Sequence, residues 1–102
     1  MAGYLIANIE VRDPAAFAEY RTRVAPLIAR FGGRYLIRGG EIQHREGRLP
    51  VERLVVLEFP SLADAQRFYE SAEYAPLLEL RAACTRSDVA LVEGYAGESA
   101  MR

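Results

Sequence analysis

Asn8, Arg38 and Glu58 are polar side chains on segments that otherwise read as apolar strands. A guanidinium and a carboxylate in such a setting can do chemistry if they floor a pocket: the arginine holds an anionic or enolate oxygen while the carboxylate moves a proton. The same two residues can instead be a structural ion pair that fixes strand register. Both alternatives stand at the level of sequence, and both require Arg38 and Glu58 to be near cross-strand neighbours. His44, the sole histidine, is the only side chain with an ordinary titration near neutrality. It stands beside Arg45 and Glu46 in the outer part of a hairpin, where an exposed and inert imidazole is the simpler assignment. Tyr69, Tyr74 and Arg81 follow helix stripes, as core or snorkelling residues do. Asn8, Arg38, Glu58, His44, Tyr69 and Arg81 are carried forward as candidate ligand-binding residues, and no catalytic residue is assigned.

Other residue types narrow the chemistry. Cys84 is the only cysteine, so an intramolecular disulfide is impossible and a cysteine-based zinc site nearly so. In a helical stretch it reads as a small buried hydrophobe rather than a nucleophile. With one histidine and no carboxylate pattern near it, no metal site assembles. Gly39-Gly40 matches no phosphate loop. No cofactor is expected, since haem would find only His44 as an imidazole ligand.

The elements that position these residues follow from periodicity and punctuation. Tyr4 to Val11 is a first strand, and Asp13-Pro14 opens a helix, with Asp13 as N-cap and Pro14 in the first helical position. Phe17, Tyr20, Val24, Leu27, Ile28 and Phe31 form its apolar stripe, and Gly32-Gly33 stops it. Pro26 inside this pattern predicts a kink or a break near Arg23. Tyr35 to Arg38 is a second strand with a bulge at Gly39-Gly40, after which Glu41 to Arg45 resumes alternation and Gly47 turns the chain. Val51 to Phe59 is a third strand, and Ser61 with Asp64 forms a capping-box-like start. Leu62, Ala65, Phe68 and Tyr69 stripe one short helix, a second start at Ser71 opens another, and Val89 to Glu93 is the last strand. The order is β-α-β-β-α-β, a ferredoxin-like α+β domain with a four-stranded antiparallel sheet. Ala25-Pro26-Leu27-Ile28 and Ala75-Pro76-Leu77-Leu78 echo one another late in the two crossovers.

Sorting each strand by parity predicts two buried faces. Leu5, Ala7, Ile9, Val11, Tyr35, Ile37, Val55, Leu57, Phe59, Val89 and Leu91 share one face and belong under the helices. Tyr4, Ile6, Asn8, Glu10, Leu36, Arg38, Leu54, Val56, Glu58, Ala90 and Val92 share the other, which is too apolar for water. Right-handed crossovers place both helical connections on the first face, so the second needs another cover. The simplest cover is a second copy in a twofold interface, a homodimer through sheet faces.

The 102 residues suit one domain, expected over residues 1–95 with a frayed tail at 96–102. A composition of 51% hydrophobic and 26% charged residues is that of a globular protein. Thirteen basic against 14 acidic residues leave a net charge of −1, which gathers neither nucleic acid nor anionic lipid. The first residues read as a strand rather than a signal peptide, and no apolar run approaches a membrane span, so a reducing cytoplasm fits.

Several segments together resemble the domain of unknown function 1330 family. They are Asp13-Pro14, Phe31 to Gly40, Val56 to Ser61, Phe68 to Tyr74 and Val92-Glu93-Gly94, within a resemblance running from about Tyr4 to Tyr95. The resemblance implies a dimeric α/β barrel built from ferredoxin-like protomers, and implies no activity. Two functions are therefore carried forward: a small-molecule binding protein or cofactor-independent enzyme for a small aromatic or carbonyl compound, and a non-catalytic dimeric stress or regulatory module.

Overall fold

The computed structural model describes residues 1–95, so the tail expected at 96–102 lies outside the described residues. β1 spans Gly3–Val11, α1 Pro14–Arg30, β2 Arg34–Arg38, β3 Leu54–Phe59, α2 Leu62–Tyr69, α3 Ala75–Cys84 and β4 Thr85–Glu93. The strands form one antiparallel sheet in the order β2-β3-β1-β4, which places β3 between β1 and β2 as the ferredoxin-like arrangement requires.

Local chemistry explains the helix ends. The amide of Ala16 donates to Asp13 Oδ1 at 3.2 Å, and Pro14 occupies the first turn, where its missing N–H leaves nothing unsatisfied. At the far end Gly33 N–H donates to Ile28 O and Gly32 N–H to Ala29 O, at 2.9 and 3.0 Å, a Schellman closure. Gly32 adopts φ +83°, which is why glycine stands there. In the second crossover, the Asp64 amide donates to Ser61 Oγ and the Ser61 hydroxyl returns to Asp64 Oδ2, at 3.0 and 2.9 Å. Ser71 accepts from the Tyr74 amide at 3.1 Å, and the crossover is two short helices, as its two start signals predict.

The structure departs from the sequence pattern in four places. α1 is unbroken through Pro26. Thr22, whose carbonyl loses its partner to the proline, and Pro26 itself are both exposed, so water solvates that oxygen while Val24, Leu27 and Ile28 stay buried. The bulge lies between Tyr35 and Ile37, not at Gly39-Gly40. Glu41 to Arg45 forms no strand, because the chain leaves the sheet edge at Gly39 (φ +70°) and alternation without a partner makes no ladder; β3 accordingly begins at Leu54 instead of Val51. β4 starts at Thr85, four residues early, because pairing of Val11↔Thr85 through Asn8↔Asp88 extends it along β1 despite its polar sequence.

Both crossovers cover one face. Leu5, Ala7 and Ile9 of β1 and Leu57 and Phe59 of β3 are buried against Phe17, Val24, Leu27 and Ile28 of α1, Ala65 and Phe68 of α2, and Leu77 of α3. Phe68 sits at the centre, with ring centroids of Phe59, Tyr74 and Phe31 at 5.4, 4.6 and 5.9 Å. On the opposite face Ile6, Leu36, Ile37 and Val92 remain 36–45% exposed in the single chain. No helix among the described residues is long and apolar enough to cross a membrane.

Candidate functional site

A pocket opens between the sheet and α1, walled by Leu5, Ala7 and Ile9, by Val55 and Leu57, and by Phe17, Val24 and Ile28. Its cavity measures about 40 Å³, room for roughly three water molecules. The inner end is polar. Arg81 is only 6% exposed; its Nε donates to the Tyr74 hydroxyl at 3.4 Å and its Nη2 to the Tyr69 hydroxyl at 3.5 Å. The Tyr74 and Tyr20 hydroxyls share a further hydrogen bond of 2.8 Å. Burial, followed by the neighbouring Tyr74, pushes Tyr20 far above the ordinary phenol value, so it stays protonated at physiological pH. Burial works against the Arg81 charge, but Tyr74, Tyr20 and Tyr69 outweigh it and hold its pKa above the ordinary arginine value.

The outer end is cationic. Arg38 lies over the Tyr35 ring with its guanidinium carbon 4.5 Å from the centroid, and Arg53 and Arg21 both approach Phe17, at 5.4 and 5.8 Å. Arg38 is exposed and Arg21 and Arg53 are half-buried, so the pocket meets solvent at this end. Arg21 Nε is buried without a hydrogen-bond partner. Among the described residues, no Asp, Glu or His lines the pocket. Burial raises Tyr35 above the ordinary phenol value, against the opposing pull of Arg38 and Arg21.

The six sequence candidates separate into two groups. Arg38 and Arg81 line the pocket, and Tyr69 touches it through Arg81. Asn8, Glu58 and His44 do not line it. The expected Arg38–Glu58 pair does not form: the bulge places Arg38 opposite Val55, on the helix-covered face, while Glu58 faces Arg34. Glu58 instead accepts from Arg34 Nε at 2.8 Å and from the Tyr4 hydroxyl at 3.2 Å, and the Arg34 hydrogen bond holds its carboxyl below the usual carboxylate range. Asn8 is a clamp; its Nδ2 donates to Pro50 O and its Oδ1 accepts from the Glu52 amide, both at 2.8 Å. His44 is exposed on the connection 39–53. Cys84 is buried, as a small hydrophobe there should be, and burial raises its thiol pKa.

Tyr20, Arg21, Tyr35 and Arg53 are pocket residues that sequence reasoning missed. Two signals were available. Arg21 follows Phe17 by four positions and precedes Val24 by three, so a charge stands on the apolar stripe of α1. Arg53 carried the second: within the expected strand Val51 to Phe59 it shares the parity of Val55, Leu57 and Phe59, so a charge stands on the face under the helices. Among the described residues, no cluster of His, Cys, Asp and Glu suits a metal ion.

A family model for a domain of unknown function, DUF1330, matches residues 2–95. The chain belongs to this family. Solved structures with the same fold as this DUF1330 protein include one of unknown function from Rhodopseudomonas palustris, 17% identical, with a TM-score of 0.74 over 92% of this chain and 82% of that one. SnoaB, a cofactor-independent oxygenase from Streptomyces nogalater, is 16% identical, with a TM-score of 0.59 over 92% and 93% of the two chains. Rv0793 from Mycobacterium tuberculosis is 16% identical, with a TM-score of 0.55 over 93% and 96%. At these identities the likeness is one of fold. Comparison with curated proteins finds no match.

Proposed function

We propose that this DUF1330 protein is a homodimer that takes a small aromatic or carbonyl compound into the pocket between sheet and helices, as a binding protein or a cofactor-independent enzyme. The observation that carries the proposal is the pocket itself: apolar walls that end on a buried arginine hydrogen-bonded to tyrosines, the pattern of a site in which few polar groups orient an apolar ligand. The description of SnoaB as a cofactor-independent oxygenase supports the enzymatic form, since it shows that this fold can act without a bound group. The homodimer reading rests on the outer sheet face, where Ile6, Leu36, Ile37 and Val92 present apolar surface that the chain's own helices do not reach.

Small molecules retained through purification, identified by mass spectrometry after denaturation, test the pocket. Ala7 is 3% exposed and lines it, so Ala7→Leu fills the cavity. The parent is expected to retain a small organic compound that folded Ala7→Leu lacks. Equal retention by both proteins would sink the proposal.

A further inference from the structure

The charge around this pocket is lopsided. In a chain of net charge −1, Arg21, Arg38, Arg53 and Arg81 line one cavity without a carboxylate among the lining residues. Five other arginines, Arg23, Arg30, Arg34, Arg67 and Arg86, each pair with Asp or Glu elsewhere on the molecule. None of the four pocket arginines forms an ion pair among the described residues. Guanidinium groups gathered in a partly apolar pocket repel one another, and an anion placed between them relieves that repulsion. Planar guanidinium forks match a carboxylate in two parallel hydrogen bonds. Arg21 Nε, buried and without a partner, is a donor in want of such an acceptor.

The inner end asks for a different group. Each of Tyr20 and Tyr74 has one hydroxyl proton, and their single mutual bond uses only one of the two. Arg81 Nε supplies a proton to Tyr74, so whichever tyrosine donates in the shared bond, the other keeps a proton to offer into the pocket. A carbonyl oxygen accepts it. Size then chooses between the aromatic and carbonyl classes. The cavity of about 40 Å³ is well under the roughly 150 Å³ in which benzene is known to bind, so a ring enters only by displacing the walls. The pocket meets solvent at its arginine end, so a short ligand need place only its carbonyl end, about three non-hydrogen atoms, inside the cavity and leaves its carboxylate at that mouth.

We infer that the pocket is a site for a short-chain carbonyl-bearing carboxylate, a small 2-oxo acid, with its carboxylate held among Arg21, Arg38 and Arg53 and its carbonyl oxygen turned toward the Tyr20–Tyr74–Arg81 cluster. This assignment rests on the pocket being a binding site and adds the class of compound bound.

Titration of the intact protein with pyruvate, propionate, benzoate and neutral pyruvamide, followed through the backbone amide shifts of Ala7, Phe17 and Leu57, tests it. Pyruvate is expected to bind tightest, with propionate weaker for want of the carbonyl and pyruvamide and benzoate at least tenfold weaker than pyruvate. Arg38→Gln and Arg53→Gln are each expected to weaken pyruvate at least tenfold. Arg45→Gln, on the exposed connection 39–53, is expected to change nothing. Thermal unfolding confirms that each variant folds, and the exposure of Arg38 makes its substitution the milder one. Pyruvamide or benzoate binding as tightly as pyruvate overturns the carboxylate assignment while leaving the pocket a binding site. Pyruvate affinity indifferent to both arginine substitutions, or no shift at the pocket amides with any of the four compounds, overturns it as well. The Ala7→Leu retention experiment reports separately on whether the pocket binds anything.

Discussion

At the scale of single residues, the Tyr20–Tyr74–Arg81 cluster shows how burial changes the behaviour of ordinary groups. The Tyr20 phenol is raised above its ordinary value of 10.0, chiefly by burial. A raised acid favours the protonated folded state, so its contribution is intact below pH 10 and fades as pH rises above the value of the unfolded chain. Tyr20→Phe is expected to cost about 1 kcal/mol near neutrality, through the lost bond to Tyr74. It should also flatten the alkaline fall in stability, as read from chemical denaturation across pH 8–11. Glu58 behaves in the opposite sense. The Arg34 hydrogen bond depresses its carboxyl below 4.5, so its contribution is complete above that value and is lost as pH falls through the folded value. Glu58→Gln should therefore shrink the acid limb of a stability–pH curve and leave pocket binding untouched. A change in ligand affinity in that variant would contradict the separation of Glu58 from the site.

At the scale of elements, a one-residue bulge decides which side of the sheet Arg38 serves. Tyr35 pairs with Leu57 and Ile37 with Val56, so the extra residue, Leu36, reverses parity for the rest of β2. Ile37 moves to the outer face and Arg38 to the pocket, the reverse of strict alternation. Sequence could not place the bulge. Leu36 is an unremarkable strand residue, whereas Gly39-Gly40 carries the composition that bulges favour. The helix ends were legible because caps are local: Asp13, Ser61 and Gly32 act on amides and carbonyls a few residues away. The connection 39–53 depends on distant groups. Asn8 holds Pro50 and Glu52, and the Ile9 amide donates to Arg53 O at 2.9 Å. Asn8→Ala is expected to destabilise the protein by about 1 kcal/mol and to speed hydrogen exchange at the Glu52 amide. Unchanged exchange there would mean that Asn8 is not the clamp.

At the scale of the molecule, the sheet has one face sealed by its helices and one that is not. Ile6, Leu36, Ile37 and Val92 are the exposed apolar residues of the second face, interrupted by the Arg34–Glu58 pair. A domain of this size buries only about two-thirds of its unfolded surface, so an isologous contact between two such faces would add materially to stability. Light scattering at micromolar concentration is expected to give a dimer mass. Ile6→Glu with Val92→Glu, which places like charges across the proposed contact, should give a monomer of lower thermal stability. A parent that is already monomeric removes the homodimer. The pocket lies on the helix-covered side, under α1, so the pocket and the proposed interface would be on opposite faces of the sheet. Asn8, Arg38 and Glu58, which strict alternation puts on one face, are separated: Arg38 turns to the pocket while Glu58 stays on the outer face with Arg34.

By itself the sequence determined the element order, the caps, the division of the second crossover into two helices and the apolar character of both sheet faces, because periods of 2 and 3.6 and capping chemistry are local properties of the chain. Only the tertiary structure decided where the bulge falls, how far β4 runs along β1, and that Arg21, Arg38, Arg53 and Arg81 converge on one cavity. Those four arginines come from α1, the end of β2, the last residue of the connection 39–53 and α3. No spacing along the chain encodes their meeting; it results from strand register and from the packing of helices across the sheet.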